Sequence, residues 1–132
     1  MKKVLLCLLL CLSLHGVSAT EAPDNHADMA RAILSFLSRT ELCLNSCRNA
    51  ESAQAAIPQL KELKAECDAL AEAQRKLPEP TVQDYMAEHK NIGSFNTIWK
   101  AIRDHIERME EEKIMTPEMR EILFIAPPSG QQ

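Results

Sequence analysis

The sequence predicts an all-α fold, an up-down-up three-helix bundle with a short C-terminal fourth helix. Three observations predict it. Ala, Leu, Glu, Lys, Gln and Met dominate a chain of 132 residues that holds only 3 glycines, and β-branched residues are sparse. Apolar residues recur every three or four positions over long runs, the spacing of one helix face. No stretch alternates for long enough to make a strand. Short connections between successive helices give antiparallel neighbours, so the economical arrangement is a bundle.

Residues 1–19 stand apart from that pattern. Lys2 and Lys3 precede an apolar run from Val4 to Leu14, and Val17-Ser18-Ala19 follows with small residues where signal peptidase reads them. The run is shorter than the ~20 residues of a permanent span. It predicts a cleaved export signal, Thr20 as the first mature residue, and a periplasmic or secreted protein with no stable membrane insertion after cleavage. Neither Cys7 nor Cys11 follows the small residue that a lipoprotein site requires, so no lipid anchor is expected. Loss of 19 residues leaves 113, one small domain, expected over 20–125 with a loose tail at 126–132. Lys2 and Lys3 leave with the signal, so 13 basic residues face 19 acidic ones, a net charge of −6. With no long basic run, the chain is a poor partner for nucleic acid or anionic lipid. The dense run Glu110-Glu111-Glu112 reads as a solvated helix face.

The first helix is expected at 25–48. Asn25 can cap it, with Asp28 three residues on. Ala30, Ile33, Leu37, Thr40, Leu44 and Cys47 form its seam, and Met29, Phe36 and Cys43 a stripe beside it. The second helix starts between Asn49 and Ser52. Its seam is Ala53, Ala56, Leu60, Leu63, Cys67, Leu70, Gln74 and Leu77. Pro58 forfeits a backbone bond, so a bend or a late regular start is expected, and Pro78-Glu79-Pro80 ends the helix. Thr81 and Asp84 open a third helix at 82–113, broken or kinked near Gly93-Ser94, or two helices in line. Val82, Tyr85, Met86 and His89 share one of its faces; Phe95, Trp99, Ile102, Ile106 and Met109 continue the pattern. Tyr85, Phe95 and Trp99 are assigned to the core, because the chain has few other large side chains to fill one. Arg108 and Glu112 are expected to pair on the outer face. Thr116-Pro117-Glu118 starts a short helix at 117–124 carrying Met119, Ile122 and Leu123.

The run from Asn49 to Leu63, with its polar turn, Ser-Ala, alanine pair, Pro58 and spaced leucines, resembles a pattern in small exported bacterial helical-hairpin proteins of unknown function. Glu107-Arg108-Met109 is similar to a third-helix signature in the same proteins. The resemblance implies a helical hairpin plus a third helix and no activity. Ile114-Met115-Thr116-Pro117-Glu118-Met119-Arg120 resembles, in a single copy, the Leu-Thr-Pro-Glu-Gln repeat of small periplasmic chaperones built on helical hairpins.

Chemistry is thinly supplied. With Gly93 and Gly130 the only mature glycines, no phosphate loop or dinucleotide fold can be written. There is no Gly-x-Ser-x-Gly elbow, no His-Glu-x-x-His and no Cys-x-x-Cys. The chain is therefore expected not to be an enzyme and to need no cofactor. Three mature cysteines, Cys43, Cys47 and Cys67, meet an oxidising compartment. A hairpin turning near residue 50 sets Cys67 level with Ile33, ~15 Å along the axis from Cys43, too far for a disulfide. The three thiols are thus small buried hydrophobes, or Cys43 and Cys47 bond locally if the helix end unwinds, or they serve an intermolecular bond or a metal. Cys67 is the first candidate for a disulfide-linked dimer. The same register sets His105 level with Cys47, so Cys43, Cys47 and His105 form a candidate Cu(I) or Zn(II) site; their spacing resembles the Cys-x-x-x-Cys pairs of copper-storage bundles. The function expected is an exported helical interaction module, coiled-coil-like in its seams, that binds a protein partner or forms a homo-oligomer. The alternatives are a periplasmic chaperone-like hairpin or the metal-binding bundle.

Overall fold

A computed structural model describes residues 22–124. The expected signal at 1–19 and tail at 126–132 lie outside the described residues. Helix α1 spans His26–Ser46, α2 Ala50–Arg75, α3 Val82–Glu111 and α4 Pro117–Leu123, with no strand among the described residues. The fold is all-α, three long helices and a short fourth.

Each helix begins where side-chain chemistry dictates. The Asn25 side chain accepts the Asp28 N–H, and Asn49 with Ser52 and Thr81 with Asp84 make reciprocal capping boxes. Thr116 caps α4, with Pro117 at its first turn. α3 ends in a left-handed turn at Lys113 (φ 57°), with Ile114 N–H on the Met109 carbonyl at 2.8 Å and Lys113 N–H on that of Glu110 at 3.1 Å. Met109 and Ile114 are both buried, the apolar contact that accompanies such a stop.

Two expectations about regularity need revision. α2 runs from Ala50 straight through Pro58, with no late start. Pro58 and Gln54 are both exposed, so the carbonyl that Pro58 leaves unbonded can meet water. α3 runs unbroken through Gly93-Ser94, where the Thr97 hydroxyl donates to the Gly93 carbonyl at 2.9 Å. A lone glycine costs about 1 kcal/mol relative to alanine in a helix interior, too little to break thirty helical residues.

α1 is the central helix. It packs against both α2 and α3, and α4 packs on α2. Arg39 pairs with Glu66 (2.7 Å for one of two bonds) and His26 Nε2 meets the Pro78 carbonyl at 2.7 Å, so α1 and α2 are antiparallel. Both contacts sit about one turn further along α2 than a hairpin centred on residue 50 would place them. His105 reaches Glu41 and Arg108 reaches Leu44 and Cys47, so α3 runs parallel to α1 and the topology is up-down-up.

The core lies at the end where α1 turns into α2. Leu37, Cys43, Leu44 and Cys47 of α1 meet Ala53, Ala56, Ile57, Leu60 and Leu63 of α2; Ile102 and Met109 of α3 and Ile114, Met119 and Ile122 complete it. Leu70 and Ile106, expected fully inside, are half-buried. Trp99, expected in the core, is 46% exposed, and Tyr85 and Phe95 are exposed with it.

Candidate functional site

Tyr85 and Phe95 line a groove, and Trp99 follows Phe95 one turn further along α3. The first half of α3 presents Val82, Tyr85, Met86, Ile92 and Phe95 across from Ala30, Ile33 and Leu34 of α1, around an open cavity of about 890 Å³. Val82 is 75%, Tyr85 59% and Met86 64% exposed. His89 lies near the middle of the face, with Glu88 and Lys90 to either side. The helices are held at both ends of the groove. At one end His26 binds the α2–α3 connection and the Asp84 carboxylate faces it; the Thr81 backbone and hydroxyl bonds hold the Asp84 pKa below the usual carboxylate value, with His26 adding to it. At the other end lie the His105–Glu41 contact (2.8 Å) and Arg108.

Arg108 has a different task from the surface pair expected of it. Its Nη2 donates to the Leu44 carbonyl at 3.3 Å, which also accepts the Cys47 N–H, and to the Cys47 carbonyl at 3.0 Å, both at the C-terminus of α1. A cation there also complements the helix dipole. Nη1 keeps the contact with Glu112 at 3.2 Å, and Nε is buried without a partner. The preceding and following residues divide the labour: Glu107 is exposed and Met109 is fully buried.

The three candidate metal residues are separated by facing. Cys43 and Cys47 are buried in the core, and the Cys47 thiol donates to the Cys43 carbonyl at 3.4 Å. Burial, with Cys47 next to it, pushes the Cys43 thiol from 9.0 up to about 11; burial also raises Cys47. Both stay protonated at neutral pH. His105 lies at the height of Cys43 but bonds Glu41, about 200° round α1 from Cys43. Among the described residues no trio of His, Cys, Asp and Glu side chains is arranged to hold a metal ion.

Cys67, expected on the buried seam of α2, is exposed. The Arg39–Glu66 pair sets Glu66 toward α1, and the next residue lies ~100° round the helix. The one-turn shift also shortens the axial distance from Cys67 to Cys43 from the ~15 Å expected to ~7 Å. Orientation, rather than height, separates Cys67 from the buried thiols. No described helix is long and apolar enough to cross a membrane. No known protein family, curated protein or solved structure matches the chain.

The groove is not legible from the three-four spacing of the sequence. Its residues follow the same three-four spacing as buried ones, so spacing alone assigns them to the core. Two signals pointed the other way. Polar His89, Asn91 and Asn96 interrupt the face, and Gly93 shares the side of α3 that carries Val82, Met86 and His89.

Proposed function

We propose that the chain is an exported, non-enzymatic helical interaction module, acting by binding a protein partner or a second copy of itself. The observation that supports this reading is the open apolar face along the first half of α3. Contiguous exposed apolar patches beyond a few hundred Å² are rare on monomeric proteins, and larger ones mark contact sites. Val82, Tyr85, Met86, Ile92, Phe95 and Trp99 together expose on the order of 600 Å², taking side chains of this size at ~150–250 Å² each. Three of the six are aromatic, the side chains enriched at protein interfaces.

Affinity capture from periplasmic extract tests the reading. The exported chain should retain one specific partner or itself, and the Tyr85→Ser/Ile92→Ser variant should lose it while keeping its helical circular-dichroism spectrum. Capture of many denatured clients would favour the chaperone-like alternative. Reproducible hydrolysis of an ester, phosphate, peptide or glycoside substrate would overturn the non-enzymatic reading.

A further inference from the structure

We infer that the groove's occupant is a second copy of this chain, the two α3 helices lying side by side and parallel about a two-fold axis. This rests on the interaction-module reading and names its partner. Three observations converge on it.

The first is area. About 600 Å² of exposed apolar side chain, with the α1 wall of the groove beside it, approaches the ~800 Å² that each partner contributes to a stable interface. A homodimer contact is the more apolar kind of interface, which suits this face.

The second is Gly93. It occupies a helix interior, where glycine is costly, and a Cβ built on it meets nothing within 4 Å. Nothing inside the monomer requires the missing side chain. A second helix backbone packed on the side of α3 that Gly93 shares with Val82, Met86 and His89 would use that space, since glycine serves where another backbone comes close.

The third is charge. The exported chain is expected to be acidic overall, and two copies repel. From Val82 to Trp99 the only charged residues are Asp84, held by Thr81, and Glu88 and Lys90, neither of which has an ion-pair partner among the described residues. Glu88 and Lys90 are ~200° apart round the helix, one on each side of His89. A two-fold interface repeats each contact in both directions. With parallel helices, each copy's Lys90 lies beside the other's Glu88. With antiparallel helices, like charges would meet at the same two places, which is unfavourable. The charge pattern therefore selects the parallel arrangement.

Two measurements test this on the exported chain. In sedimentation equilibrium, the protein should pass from monomer to dimer with concentration. Glu88→Lys and Lys90→Glu should each weaken the dimer about tenfold, and the double swap should restore it. For orientation, Cys67→Ser removes the exposed thiol, and Val82→Cys, His89→Cys and Asn96→Cys are then oxidised one at a time. These three lie seven residues apart on the side of α3 between Glu88 and Lys90, so parallel helices place each opposite itself across the two-fold axis and all three variants should self-cross-link. Cross-linking at one position only would mean crossed or antiparallel helices and would overturn the parallel pairing. A chain that stays monomeric at millimolar concentration would overturn the second copy. If that monomer still retains a partner that Ile92→Ser loses, the interaction-module reading survives alone; if Ile92→Ser changes no binding at all, both fail.

Discussion

The two ends of this bundle are built from the same kind of sequence and have opposite fates. At the end where α1 turns into α2, Leu44, Leu60, Met109 and Met119 are fully buried. At the other end Val82, Tyr85 and Met86 stand open. The difference lies in what surrounds each stretch of α3. Around residues 102–109, α1, α2 and the segment carrying Ile114, Met119 and Ile122 supply walls, and Glu110 is tied to Arg120 across them. Around residues 82–96 only Ala30, Ile33 and Leu34 of α1 line the space opposite. α4 has seven residues, about 10 Å of helix, and cannot cover both ends. A three-four seam buries itself only where the fold provides enough walls.

Truncations break the comparison most sharply. Leu60→Ala, in the closed end, should cost ~2–5 kcal/mol of unfolding free energy. Ile92→Ala, in the open end, should cost less than ~0.5 kcal/mol at concentrations where the chain is monomeric. Urea titrations of the two variants check this. Similar losses would mean that the groove is closed in solution.

Arg108 sharpens it from the polar side. Arg108→Met keeps an apolar stem but removes the guanidinium donor from the Cys47 carbonyl, and from the Leu44 carbonyl, which keeps only the Cys47 N–H. The expected cost is about 1–3 kcal/mol. The same measurement on the solvent-exposed Arg31, whose pair with Asp28 lies at the open end, should show less than ~0.5 kcal/mol.

A smaller effect follows from the thiols. Cys43 holds its proton in the folded protein to about pH 11, against 9.0 ordinarily, so it contributes no pH-dependent loss below about pH 9. Between there and pH 11 the unfolded chain releases the proton first and stability falls. Cys43→Ala should flatten that decline in thermal melts taken across this range. Cys67, exposed, should alkylate at once in native protein at pH 8, while the two buried thiols react only after unfolding.

The helices were legible because their signals are local. Asn25, Asn49, Thr81 and Thr116 each announce a start through their own side chain, and the seams announce a buried face. The closed end followed directly: Leu37, Leu44, Leu60, Leu63 and Ile102 are buried where the spacing puts them. The groove was not legible, because period alone does not say how many neighbours a face will find. The contacts of α1 with α2 fall about one turn beyond those of a hairpin centred on residue 50, because the axial centre of a hairpin is not its turn residue. Cys67 and His105 were placed by height, whereas their facing is set by Glu66 and Glu41, long-range contacts that no local pattern reveals.

Hydrogen exchange along α3, read by mass spectrometry at low and high protein concentration, tests the central claim most directly. At low concentration the amides of residues 83–99 should exchange much faster than those of 102–110. Raising the concentration should protect the first segment and leave the second unchanged, as expected if the open face is covered by another copy. Uniform protection along α3 that does not change with concentration would contradict the account: the two ends would then be one closed core.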